Sequence, residues 1–373
     1  MTPPVVCTPD MLEQVPNRSA VFLVWPREGA PYLGRTSLLR RRLLRLLGER
    51  HKPSRLLNLR TFADHVEYWL TGSLLESNLV FYELAREHFP EHYLKLAKLR
   101  MPAYVKLTLS NPFPRTLVTT RLGAGAGLYY GPFRTRSAAE EFQNQFLDLF
   151  QIRRCEENLE PRPDHPGCMY GEMNMCLRPC QQAVSPEEYR NEAARVEQFL
   201  ATDGTTMLET ITAARDRLSE ELNFEEAARQ HKRRERVEKI LSLRDDLVHD
   251  IDKLWGVAVT PSVEVEAVEL WFVAKGMWMP ARRFQLASAG GQIVSMDQRL
   301  RETAVGIEPP RASLKDRQES LALLARWYYS TWRDGEFLPF ENPDKIPYRK
   351  LVNAISRVAK GAIKPEALLS NRG

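Results

Sequence analysis

The chain has 373 residues, 43% apolar and 27% charged, a composition that excludes disordered, fibrous and collagen-like classes. No run approaches the ~18 apolar residues needed to cross a bilayer. The opening MTPPVVCTPDMLEQVP lacks the basic and apolar regions of a secretory signal, so a cytoplasmic protein is expected. The 53 basic residues exceed the 48 acidic ones by five, so any affinity for nucleic acid must come from clustering rather than from total charge.

At about 150 residues per domain the length predicts two or three domains. Residues 20–25, AVFLVW, read as a strand, and PREGA turns the chain into a second short strand at 32–34. Ser37 is placed to cap a helix through LLRRRLLRLLGER, whose leucines at 38, 39, 43, 46 and 47 recur at helical spacing. A second helix is predicted around 73–88. Residues 103–120 predict two strands about a proline-rich turn, and a helix follows at about 136–150. Residues 155–180 then hold four of the five cysteines and four prolines, with little apolar periodicity from which to build a core. Ser185-Pro186-Glu187-Glu188 is a capping box with proline at the first helical position. It opens a helical zone reaching about 248, broken near 203–204 and at Asn223. Residues 255–295 predict strands, VEVEAVELWFV alternating over its first half, with a hairpin turn at Lys275-Gly276. Residues 314–332 predict a helix, and 336–373 have no firm reading.

Four constellations carry chemistry. Between Arg35 and Arg60 stand eight arginines and Lys52, opposed by Glu49 alone. Arg40, Arg41, Arg42 and Arg45 share one or two turns, with the leucines opposite. A solvated helix face is the ordinary reading of such charge, but one sign on one amphipathic helix also suits non-specific phosphate contacts. Glu76, set among leucines in LLESNLV, is either a surface carboxylate or, if it faces the arginine helix and Tyr32, a ligand for one Mg²⁺ completed by water and phosphate. Cys155, Cys168, Cys176 and Cys180 are spaced C-x12-C-x7-C-x3-C. Four thiolates hold zinc or an iron–sulfur cluster, and the scarcity of short C-x2–4-C knuckles favours the cluster. Cys7 stands apart as an ordinary free thiol. Last, LSEELNFEEAARQHKRRERVEKILSL at 218–243 carries an apolar stripe at 222, 224, 227, 228, 237, 240 and 241, a helical hairpin with too little core to stand alone. GAGAG at 123–127 lies between strands without G-K-[ST] after it. It reads as a turn, and no nucleotide cofactor is expected.

In this order the features resemble the N-terminal half of the UvrC family of bacterial excision-repair nucleases and the related Cho nucleases. AVF and YLG stand where the family's GIY-YIG nuclease motif lies, AYVKLTLSNPFPRTLVT is similar to its YPYIKLT-EPFPRLLVT segment, MCLRPC matches its cysteine region, and LNFEEAARQHKRRERVEKI looks like the UVR motif that docks on UvrB. The resemblance spans about 17–335. It implies an α+β multidomain fold: a small α/β/α GIY-YIG domain at 1–102, a strand/helix connector with the four-cysteine region at 103–184, helices with the UVR motif (about 206–243) at 185–248, and a mixed β/α region at 249–373. It implies catalytic roles for Tyr32, Arg35, Arg42 and Glu76, with Mg²⁺ or Mn²⁺ on Glu76. Arg40, Arg41 and Arg45 are expected on DNA. A [4Fe-4S] cluster is expected on the four cysteines, with zinc the alternative. Leu222, Phe224, Ala227 and Ala228 are expected on UvrB. The implied activity is metal-dependent incision of damaged double-stranded DNA 3′ to the lesion, in complex with UvrB.

Three departures qualify the resemblance. Phe22 replaces the first motif tyrosine, which makes a weakened UvrB- and DNA-binding adaptor the alternative; a redox-sensing DNA-binding protein is a third class. AKLRMP replaces a DDK-like stretch, with a few extra residues near 82–88. The resemblance also ends before an RNase H-like nuclease and a helix-hairpin-helix module, so the 5′ incision is not expected of this polypeptide alone.

Overall fold

The run AVFLVWP is apolar at nearly every position because both faces of its strand are covered. In the computed structural model, which describes residues 3–49, 57–287 and 295–361, strands β1 (Val5–Cys7), β2 (Ala20–Pro26), β3 (Tyr32–Thr36) and β4 (Ala63–Leu70) form an antiparallel sheet in the order β1-β4-β2-β3. Period-2 alternation then sorts the side chains. Ala20, Phe22, Val24, Val66 and Tyr68 meet Leu39, Leu43, Leu46 and Leu47 of helix α1 (Leu39–Leu47). Val21, Leu23 and Trp69 meet Leu84 of helix α2 (Leu74–His88). The first unit is thus three layers, with β3 at the sheet edge.

Ser37 does not cap α1. The helix begins one residue later, after Leu38, and the first turn's free N–H groups go to a neighbouring loop: Leu39 N–H to the Arg18 carbonyl at 3.0 Å and Arg41 N–H to Asn17 Oδ1 at 3.2 Å. A tertiary acceptor has replaced the local one.

A short helix α3 (Tyr93–Leu96) leads to a second antiparallel sheet, β6-β5-β7-β8, from β5 (Ala103–Leu107), β6 (Thr116–Thr119), β7 (Leu128–Phe133) and β8 (His249–Asp250). Helix α4 (Arg136–Leu147) packs Phe142 and Phe146 on it. The core extends to Tyr189, Val196 and Phe199 of α6 (Pro186–Ala201). Between α4 and α6 the cysteine segment contains only the short helix α5 (Met169–Glu172) and a 3₁₀ turn. The capping box at Ser185 and Glu188 forms as expected. Helices α7 (Thr205–Glu220) and α8 (Phe224–Leu241) make the hairpin, broken where predicted.

The third sheet joins β9 (Trp255–Pro261), β10 (Ala267–Ala274), β11 (Met277–Trp278), β12 (Arg282–Gln285) and β13 (Glu336–Phe340), with β10 beside β9, β11 and β12, and β9 beside β13. The alternating VEVE stretch is the turn before β10, and the strand itself is buried at every position. Trp271 and Val273 face helix α10 (Leu314–Tyr328), while Val268, Leu270 and Phe272 face helices α9 (Met296–Thr303) and α11 (Tyr348–Ala359). Helix α10 ends at Tyr328, short of the expected 332. Helix α2 belongs to two cores, since Leu75, Leu79 and Tyr82 pack against Leu324 and Trp327 of α10. No helix among the described residues is long and apolar enough to cross a membrane.

Candidate functional site

Edge strand β3 divides the candidate residues. Tyr32 lies opposite Val24 on the α1 face, whereas Arg35 lies opposite Val21 on the α2 face. On the α1 face, Arg42 Nη2 donates to Tyr32 Oη at 3.2 Å. The ring of Phe22, fully buried, sits 6.2 Å from that of Tyr32. A Cβ on Gly34 would come within 2.4 Å of the Phe22 ring, so the glycine of YLG is needed for close approach.

The other arginines of α1 divide by role. Arg40 Nε donates to the Val15 carbonyl at 2.6 Å, strapping the helix to the chain before it. Arg41 and Arg45 are exposed. Arg60 is turned inward, to the Leu47 carbonyl and Glu49. Arg50, Lys52 and Arg55 of the basic cluster lie outside the described residues.

On the α2 face, Arg35 Nη1 donates to Asn78 Oδ1 at 2.5 Å, and its guanidinium lies 5.2 Å from the Phe81 ring centre. Glu76 is in the first turn of α2. Ser73 Oγ accepts from Glu76 N–H at 3.1 Å, and Glu76 Oε2 accepts from Gly72 N–H at 2.6 Å. The β4–α2 turn fits under the β9–β10 loop so closely that a Cβ on Gly72 would meet the Ser262 backbone at 2.3 Å. Burial pushes the Glu76 carboxyl up to about 7, the Gly72 N–H opposes the rise, and Glu269 and Asp334 add repulsion that Arg283 partly offsets. The structure thus pairs Tyr32 with Arg42 and Arg35 with Asn78, and turns Glu76 toward its own helix start and the third sheet. Asn78 was missed in the sequence. Its signal was a polar residue two positions after Glu76 on a helix that buries most of this turn.

Cys155, Cys168, Cys176 and Cys180 are all free thiols. Burial pushes Cys176 up to about 11, against the Arg178 N–H that its sulfur accepts at 3.4 Å, and the other three cysteines raise it further. Arg153, itself almost wholly buried, aims Nη1 at Cys155 Sγ at 3.8 Å. The four sulfurs therefore share one electrostatic neighbourhood. Among the described residues, no group of three or more His, Cys, Asp or Glu is gathered to hold a metal ion.

At the hairpin, Ile211 of α7 and Val237 and Ile240 of α8 join the core of the second unit. Ala227 is buried and Ala228 exposed. The tip exposes Leu222 at 72% and Phe224 at 64%, with Leu222 held at φ 58°, a conformation that non-glycine residues rarely adopt.

Residues 103–199 match the middle domain of the UvrC/Cho excinuclease family. The chain is 25% identical to the UvrABC system protein C of Lachnospira eligens over 284 residues, which is 75% of this chain and 46% of that protein. With the UvrABC system protein C of Caldanaerobacter subterraneus subsp. tengcongensis it shares 24% identity over 371 residues, 96% of this chain and 59% of the relative. With that of Moorella thermoacetica it shares 26% over 325 residues, 86% and 48% respectively. The chain spans about half the length of these curated relatives. No solved structure matches it.

Proposed function

The chain is a UvrC-family protein, and from that premise we propose that it serves nucleotide excision repair by incising damaged DNA 3′ to the lesion, in complex with UvrB. The observation that carries the reading is the Arg42–Tyr32 pair at the open edge of the first sheet. The donation from Arg42 leaves Tyr32 Oη as acceptor on that side. The phenol proton therefore points away from the guanidinium, where it can be exchanged with the attacking water or the phosphate. The same guanidinium supplies fixed positive charge where charge develops on a phosphoryl group.

By donor chemistry Glu76 suits Mg²⁺ or Mn²⁺: it is a partly buried carboxylate beside two further acids, and Mg²⁺ needs only one or two carboxylates with water and phosphate. Its carboxylate is nevertheless turned toward Gly72 and the third sheet rather than toward Tyr32 and Arg42. When bound, the ion would supply Lewis-acid stabilisation of phosphate oxygens. The four cysteines suit a [4Fe-4S] cluster in number, and N–H donors already face two of the sulfurs. Such a cluster would tie down a segment that has no core of its own. The exposed Leu222–Phe224 tip supplies the apolar surface for UvrB.

An incision assay on a lesion-bearing duplex with UvrB, with and without Mg²⁺, tests the reading. Glu76→Ala and Arg42→Ala are each expected to lower the rate by ~10²-fold or more, and full activity in Glu76→Ala removes that site assignment. UvrB binding with no cutting, restored by Phe22→Tyr, would establish the adaptor reading that Phe22 favours. Anaerobic purification is expected to give a brown protein, and a colourless one with a single zinc per chain overturns the cluster.

A further inference from the structure

On the α2 side of the edge strand a cavity of about 410 Å³ opens between the first unit and the C-terminal end of α10. It is lined by Arg35 and Asn78 from the first unit and by Arg326, Ser330, Trp332 and Asp334 from the last. That volume falls in the range of small-ligand pockets, which is ~300–1,000 Å³. Two guanidiniums converge there, and neither is paired with the one carboxylate in the lining, Asp334. Arg35 donates to the Asn78 amide oxygen and Arg326 to the Ala97 carbonyl, both neutral acceptors. No ion pair is formed by either among the described residues. Burial lowers the pKa of both, and the charge of Arg326 lowers that of Arg35 further. Asp334 lines the same cavity, but its oxygens accept from Leu74 N–H and from Trp327 Nε1 rather than from either guanidinium. Trp332 is 48% exposed at the same cavity, a large ring with no core to fill.

We propose that this cleft holds one backbone phosphate of a nucleic-acid strand between Arg35 and Arg326, with the adjoining base stacked on Trp332. Unpaired guanidiniums want an anion with several acceptor oxygens, and an exposed indole beside them suits a base rather than a bare ion. Arg35 follows Tyr32 by three positions, about 10 Å along an extended strand, and points to the other face of the sheet. A phosphate held here therefore lies more than about 10 Å from the one facing Tyr32 and Arg42, further along the same nucleic-acid strand. The strand crosses the edge of the sheet at β3, and Arg326 and Trp332 act as positioning residues contributed by the C-terminal region. The inference rests on the reading of the chain as a DNA-binding repair nuclease.

The test is fluorescence anisotropy of the full chain with a labelled single-stranded oligonucleotide across a salt series, alongside the incision assay. Arg326→Gln is expected to weaken binding about tenfold and to reduce the slope of log affinity against log salt by ~0.7, one phosphate contact on a single strand. Arg326→Lys is expected to keep the slope. Trp332→Ala is expected to weaken binding at least fivefold with the slope unchanged, as loss of stacking requires. Since Trp332 is half exposed, this variant also guards against misfolding of the arginine variant. Thymidine 5′-monophosphate should displace the oligonucleotide at concentrations where inorganic phosphate does not. Equal competition by inorganic phosphate together with an inert Trp332→Ala overturns the nucleotide assignment. Wild-type affinity and slope in Arg326→Gln, or a wild-type chain that does not bind DNA, overturns the cleft. Arg326-dependent binding without incision leaves the cleft standing and removes the nuclease reading, whereas incision with Arg326-independent binding does the reverse.

Discussion

At Gly34 the backbone passes directly beneath a buried phenyl ring, so a single methyl group decides whether β3 can lie against β2. Gly34→Ala is expected to destabilise the protein by about 1–3 kcal/mol through overpacking against Phe22, read as a lower urea midpoint. Glu76 makes a prediction whose sign depends on pH. Its folded carboxyl titrates at about 7 against an ordinary value of 4.5, so the folded state binds the proton more tightly than the unfolded. Both states are protonated below about 4.5. As pH rises from there through 7, the cost of a buried carboxylate grows and stability falls. In metal-free buffer Glu76→Gln should match the wild type near pH 4 and exceed it by about 1–3 kcal/mol at pH 8, in urea titrations at the two pH values. The motif around Glu76 was legible in the chain. Its protonation was not, because it comes first from burial in the folded chain and then from Glu269 and Asp334, which reach it from far along the sequence.

Elements were legible in proportion to how local their causes are. The capping box that opens α6 needs only Ser185 and Glu188, three residues apart, and it forms. Ser185→Ala should cost about 1 kcal/mol, measured as a fall in melting temperature. The start of α1 was misplaced by one residue because its acceptors come from Asn17 and Arg18 rather than from Ser37. The hairpin of α7 and α8 was legible from its stripe, but only packing sorts that stripe. Val237 and Ile240 are spent on the core, while Leu222 and Phe224 are left in water. Phe224→Ala should therefore change stability by no more than about 0.5 kcal/mol. Under the proposed function it should weaken UvrB binding by more than about tenfold, measured by calorimetry.

Across the whole molecule, α2 and α10 hold the first and last units together. Glu319 of α10, 1% exposed, accepts from the Tyr82 hydroxyl of α2 and from the Tyr93 hydroxyl of α3 at 2.6 Å. Burial and this carboxylate push both phenols upward, holding them protonated as donors. Glu319→Leu leaves two buried hydroxyls without acceptors and should cost about 2–4 kcal/mol, a loss that Glu319→Gln should largely recover, both read by urea denaturation.

By itself the sequence determined most of the helices and several strands, the hairpin, the four-cysteine segment and the family resemblance, and it left β1, β4, β13 and α11 unread. Helical stripes, strand alternation and caps act between residues one to four positions apart, and motifs are contiguous. Only the tertiary structure decided that Tyr32 and Arg35 face opposite sides of one edge strand, that Glu76 is turned under the third sheet, and that Arg326 meets Arg35 across some 290 residues of chain. Those outcomes depend on which faces are buried and which charges are brought together, and both are properties of packing between elements rather than of any local pattern.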